Sequence, residues 1–280
     1  MMIRWKMTFV FLTLWLTVVG NHAQAQRSTR TDHFQCASPD PVRGTVCEGT
    51  IATYPLAVVV QIPPHYVPTK KAEITLFLHG HNYGPISTLD QILKRFSILE
   101  HVASTGRNRI AVFPHSLNKC DEFKTQLAPT KKLKPFIESI ARWMLEKQLS
   151  KTAEIGSIAL AGQSGAYAPL AIIVDQDLYR DHIRELYLLD AMYGNAASFA
   201  RFALNPKNRF WSNYLPSSST RQQNELVMKT LQQSGISFFT KSGNLSREEA
   251  ASARIGFIEA NTSHAGAIRY LAAFMGSVAL

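Results

Sequence analysis

Short apolar runs bounded by glycine, proline or polar clusters recur along the chain, separated by stretches with helical spacing. Tyr54–Ile62 alternates and is rich in β-branched residues, and Pro63-Pro64 stops it, which predicts a strand. Glu73–Leu78, Arg109–Phe113, Ile158–Ala161, Ile183–Leu189 and Ile255–Ala260 are nearly continuous apolar runs, as expected of strands buried on both faces. Ile236–Thr240 reads as a further strand. Helical spacing appears near 87–105 and over Tyr167–Val174, Arg247–Arg254 and Ala267–Met275. Lys134–Leu149 is amphipathic, with Phe136, Ile140, Trp143 and Met144 at core spacing. His115–Thr130 reads as a long loop, and no internal repeat is visible. Strands alternating with helices predict an α/β domain over 54–280, a mostly parallel central sheet with helices on both faces. The stretch 195–233 holds helical pieces around an aromatic and basic run, Phe199, Phe202, Phe210, Trp211 and Tyr214 with Arg201 and Arg209.

The N-terminus changes the compartment. Arg4 and Lys6 precede an apolar core, Met7–Gly20, of about fourteen residues, short of the roughly 20 that span a bilayer. Ala23-Gln24-Ala25 then fits a small-x-small cleavage site, so 1–25 reads as a signal peptide and the mature chain as periplasmic or secreted. An uncleaved anchor is the alternative. No later run is long and apolar enough to span a membrane, so no stable membrane insertion is expected. Residues 26–53 form a polar N-terminal segment with little core of its own. In an oxidising compartment two of the three cysteines should pair. Cys36 with Cys47 would staple that segment and leave Cys120 over, although either could instead pair with Cys120. Nothing beside Cys120 suggests an activated thiolate.

The formal charge of +10 falls to about +8 once Arg4 and Lys6 are removed. The basic residues cluster weakly, at Lys70-Lys71, at Lys131, Lys132 and Lys134, and at Arg201, Lys207 and Arg209. No zinc-ligand cluster, phosphate-cradling glycine loop or basic-aromatic motif accompanies them, so the charge reads as a solvated surface and nucleic acid is not an expected partner. No metal or organic cofactor is implied.

One motif carries chemistry. The run Ile158–Ala161 ends in Gly162-Gln163-Ser164-Gly165-Ala166, and a helix-compatible run follows at once. A serine between two glycines on a strand-to-helix reversal has an exposed hydroxyl and uncrowded flanks, the geometry of a Gly-x-Ser-x-Gly nucleophile elbow. Ala166 stands in for the last glycine, where a small residue suffices. Upstream, Glu73–Leu78 ends in His79-Gly80-His81-Asn82-Tyr83-Gly84; downstream, Ile255–Ala260 leads to Thr262-Ser263-His264-Ala265-Gly266.

A strand ending in His-Gly, then strand–Ser–helix, then strand–His–helix, in that order, resembles the α/β-hydrolase superfamily over about 55–280. The resemblance implies that 195–233, where hydrolases of this class commonly carry a cap, is a small cap insertion. It also implies roles. Ser164 would be the nucleophile and His264, of nine histidines, its base. The acid usually follows the strand after next from the elbow, but Ile236–Thr240 ends in Lys241-Ser242-Gly243-Asn244, with no carboxylate. Asp190, at the end of the preceding strand, is therefore the expected acid, with Glu259 as runner-up, while Asp175, Asp177 and Asp181 should face solvent. Backbone N–H groups of Gly165 and His81 would form the oxyanion hole. Asn82, Tyr83 and Trp211 are candidate substrate-binding residues, and Gln163 reads as a polar spacer. The implied activity is hydrolysis of a small-molecule or polymer carboxylic ester through an acyl-enzyme. The same triad would serve amide or peptide cleavage or acyl transfer, and the missing acid after Ile236–Thr240 also permits a non-catalytic binding protein.

Overall fold

A computed structural model describes residues 32–81, 88–117 and 120–276. Ten strands among them form one sheet: β1 His33–Cys36, β2 Thr45–Ile51, β3 Tyr54–Ile62, β4 Ala72–Leu78, β5 Ile110–Pro114, β6 Ile155–Gln163, β7 Ile183–Leu189, β8 Arg209–Tyr214, β9 Phe239–Ser242 and β10 Ile255–Glu259. The order is β1-β2-β3-β5-β4-β6-β7-β8-β10-β9. From β5 to β9 every pair is parallel, while β1, β2 and β3 add an antiparallel edge. The mostly parallel sheet expected from the apolar runs is therefore present.

The helices are α1 Leu89–Arg95, α2 Ile98–Ala103, α3 Thr130–Glu146, α4 Tyr167–Asp175, α5 Ala196–Leu204, α6 Thr220–Gln233, α7 Arg247–Ala251 and α8 Leu271–Gly276. Strand alternation sorts the core into two layers. Val58, Val60, Ile74, Leu76 and Leu78 face one side with Phe136, Ile140 and Met144 of α3, Leu170 of α4, Phe199 of α5 and Val227 of α6. Val59, Phe77, Phe113, Tyr187 and Leu189 face the other with Ile92 of α1, Ile98 of α2 and Phe274 of α8. Burial on both faces explains why the central strands read as continuous apolar runs rather than alternating ones.

Three expectations change. The polar N-terminal segment does not stand apart: β1 and β2 pair antiparallel and extend the sheet, with Cys36 opposite Cys47 and a disulfide between them. The helix expected near 87–105 is two, α1 and α2, because Ser97 takes a left-handed φ of 48° that a continuous helix cannot hold. The largest correction concerns 195–233, which is not a cap. β8 lies inside the sheet between β7 and β10, α5 and α6 cover one face beside it, and Phe199, Phe202, Phe210 and Trp211 are core residues. Among the described residues no helix is long and apolar enough to cross a membrane.

β4 lies between β5 and β6, so the chain steps to one side after β4 and returns to the other. Such a reversal opens a crevice at the carboxyl ends of the strands. Leu78 pairs with Gly162 and Gln163 with Leu189, so the segments beginning at His79, Ser164 and Asp190 leave the sheet side by side.

Candidate active site

β6 turns into α4 within three residues, and Ser164 takes a left-handed φ of 53° at the reversal. Such a backbone costs a non-glycine residue on the order of 1–3 kcal/mol, so the surrounding packing must hold it. A Cβ on Gly162 would lie 2.7 Å from both Ala166 Cβ and Leu170 Cδ1, which leaves glycine as the residue that lets strand and helix approach. Ala166 is accommodated as the second small residue of that contact. On the neighbouring strand end, a Cβ on Gly80 would sit 2.6 Å from Ser164 Cβ, so Gly80 is what allows the His79–His81 segment to run against the serine.

That segment is held from behind. The His79 ring is buried, and its Nε2 accepts the Ser116 N–H at 3.0 Å. Its proton therefore sits on Nδ1, which donates to the Gly80 carbonyl at 2.7 Å. Burial holds the His79 pKa down at about 4, so the ring is neutral and its donor fixed. In the trans peptide joining Gly80 to His81, the His81 N–H faces away from that tethered carbonyl. The His81 imidazole fills the space of the side chain that Gly165 lacks: a Cβ there would lie 2.1 Å from His81 Nδ1. Cys120 supports the segment from beneath, its thiol donating to the His79 carbonyl at 3.2 Å, with Sγ 3.9 Å from His81 Nδ1. Burial pushes the Cys120 pKa up to about 12, so this sulfur is a neutral thiol.

Asp190 begins the turn after β7 with φ 44°, and its side chain is buried. Its N–H is accepted by the Asn213 side-chain oxygen at 2.6 Å, and its Oδ1 accepts from Thr220 Oγ1 at 2.5 Å. The remaining oxygen, Oδ2, stands 2.6 Å from His264 Nδ1. A carboxylate can only accept, so Nδ1 carries a proton, and in the neutral ring this tautomer leaves the lone pair on Nε2. The loop bearing His264 is tied to the sheet by two side-chain amides: Gln163 Nε2 donates to the His264 carbonyl at 3.1 Å, and Asn213 Nδ2 to the Ala267 carbonyl at 2.9 Å. The other carboxylates go elsewhere. Glu259 faces Arg221 at 3.8 Å, Asp175 pairs with Arg201 at 2.8 Å, and Asp177 and Asp181 pair with Arg180 and Arg184 on the surface.

A cavity of about 400 Å³ opens beside the serine, lined by His81, Ser164, Gly165, Tyr167 and Tyr193. The Tyr193 ring lies 6.0 Å from that of Tyr167 and stands edge-on to that of His264 at 6.3 Å. Among the described residues Ser164 Oγ makes no hydrogen bond to His264, a contact that in hydrolytic sites tightens as the substrate is bound. No group of three or more His, Cys, Asp or Glu among the described residues could hold a metal ion.

No family model matches the chain, and no curated protein matches it either. Solved structures do. An S-formylglutathione hydrolase from Agrobacterium tumefaciens aligns at 10% identity over 86% of this chain and 96% of its own, with a TM-score of 0.51. The feruloyl esterase module from Clostridium thermocellum, complexed with sinapinate, aligns at 14% identity over 88% of each chain, with a TM-score of 0.52. An ester hydrolase from the metagenome of Lake Arreo aligns at 12% identity over 86% of this chain and 85% of its own, with a TM-score of 0.50. The chain has the α/β-hydrolase fold. On this hydrolase fold, His79, Ser164, Asp190 and His264 all leave the same edge of the sheet.

Of the substrate-binding candidates, Trp211 is overturned. It is 0% exposed, packed against Phe239 and Phe274 at 5.8 and 5.4 Å, and only the missing side chain of Gly256 gives it room. Asn82 and Tyr83 lie outside the described residues. Tyr167 and Tyr193 take the place beside the serine instead. Sequence reading missed Asn213 and Thr220 and undervalued Gln163. Their signal was present: an amide just before the elbow serine, and a Ser-Asn pair inside an otherwise aromatic run, are polar groups where the core should be apolar.

Proposed function

We propose that this protein is an exported serine hydrolase that cleaves a carboxylic ester through an acyl-enzyme. The observation that carries the reading is the 2.6 Å bond between His264 Nδ1 and the buried carboxylate of Asp190, on the strand end next to a serine whose φ is 53°. In this reading the Ser164 hydroxyl gives its proton to His264 Nε2 as Oγ attacks the ester carbonyl. Asp190 fixes the tautomer that leaves Nε2 open and stabilises the imidazolium that forms. The oxyanion is received by the N–H groups of Gly165 and His81, the second pre-aimed because His79 tethers the Gly80 carbonyl. His264 then protonates the leaving alcohol, and a water activated by the same ring releases the acid and restores Ser164.

Export rests on the N-terminal pattern Arg4–Ala25 and is supported by the Cys36–Cys47 disulfide, which suits an oxidising compartment. The test of the chemistry is turnover of a panel of simple esters by residues 26–280, beside Ser164→Ala. Hydrolysis by the wild type, with the variant at background and equally well folded, is the expected result. Retained turnover in the variant would sink the mechanism.

A further inference from the structure

The cavity beside Ser164 has an unusual wall. Three of its five lining residues, His81, Tyr167 and Tyr193, present flat rings, and among the described residues no aliphatic side chain lines it. Two glycines shape these walls. Gly165 leaves the space that the His81 ring fills, and a Cβ on Gly194 would come within 3.3 Å of Tyr167 Cε2. Tyr193 is 38% exposed and lies beside Ser164. It meets Tyr167 at 46° and His264 at 77°, in the tilted and edge-on arrangements that aromatic rings favour over flat sandwiches.

Resting on the hydrolase reading above, we infer that the substrate is an ester whose acyl group carries an aromatic ring, and that Tyr167 and Tyr193 determine this specificity. Size admits a ring: a cavity of about 150 Å³ holds benzene, and this one measures about 400 Å³. Position assigns the ring to the acyl side. The cavity is bounded by Gly165, whose N–H is the proposed oxyanion donor, so a group seated there is attached to the carbonyl carbon. His264, which would protonate the leaving alcohol, is not part of its lining.

The test compares kcat/KM for methyl 3-phenylpropanoate, methyl hexanoate and benzyl acetate, in the mature protein, with active sites counted by fluorophosphonate titration of a parallel sample. Methyl 3-phenylpropanoate should exceed the other two by about tenfold, the size expected of one ring packed between aromatic walls. Tyr167→Ala and Tyr193→Ala should each pull that ratio towards one, mostly through KM, while Tyr193→Phe keeps it. A ratio of one or less in a protein whose Ser164 labels fully rejects the aromatic class and leaves the hydrolase reading standing. Preference for benzyl acetate rejects the acyl-side assignment. A folded protein in which Ser164 takes no label rejects both readings together.

Discussion

β7 carries a buried carboxylate near each end, and the two are handled in opposite ways. Near its start, Glu185 is enclosed by Arg107 at 2.8 Å, Arg109 at 2.7 Å and the Tyr187 hydroxyl. Burial alone would raise its pKa, but the two guanidinium groups outweigh that and hold it below the ordinary value. Just past its end, Asp190 is equally buried but faces one imidazole, and that ring is 30% exposed. The first carboxylate is locked between two guanidinium groups and a hydroxyl. The second is joined to a single, partly exposed imidazole. An ionic cluster of this kind holds strands together, whereas a single carboxylate bonded to one accessible ring orients that ring.

Two substitutions break the comparison from either side. Asp190→Asn should lower kcat by about ten-thousandfold, because an amide no longer selects the productive tautomer. It should shift Tm by only about 3 °C, since the shape and the Thr220 contact survive. Glu185→Gln should do the reverse. Removing one partner of a buried pair costs about 3–5 kcal/mol, because the arginines are left uncompensated, yet kcat per folded molecule should hold. Urea unfolding and active-site-normalised kinetics on both variants decide it; a stability loss at Asp190 as large as at Glu185 would erase the distinction.

The His79 tether sharpens it further. His79 is kept neutral by burial with a pKa of about 4, below the ordinary histidine value, so the folded state binds fewer protons than the unfolded chain between those values. Its contribution is fully present above pH ~6.5 and is lost as pH falls towards 4, on the order of 3 kcal/mol. Urea titrations at pH 7, 5.5 and 4 should show this extra loss in the wild type and its absence in His79→Asn.

The smallest effect is at the elbow. Ser164→Gly relieves the left-handed backbone and should raise stability by about 1 kcal/mol, or Tm by about 2–4 °C, while abolishing turnover. A fall in Tm would mean that the turn is not strained.

These contrasts also explain what the chain disclosed. The strands flanking the elbow were legible because both faces are buried and their runs are apolar without interruption. β8 was not, because Ser212 and Asn213 interrupt its aromatic run like a loop. They are buried, and Asn213 serves Asp190 and the His264 loop. The function of that strand hid its structure. The break at Ser97 was illegible for another reason: a left-handed residue within an apolar pattern leaves no compositional mark when it is not glycine. Ser164, Asp190 and His264 were named from the order of motifs along the chain, but the tethers at Gln163, Asn213 and Thr220 depend on which strand ends lie together, and only the three-dimensional register brings them there.

The central claim is that Ser164 is an activated nucleophile. Fluorophosphonate labelling of the mature protein, with the adduct located by mass spectrometry beside Ser164→Ala, tests it most directly. One adduct per molecule on Ser164, and none on the variant, is the predicted result. A folded wild-type protein that takes no label, or takes it on another residue, would contradict the account.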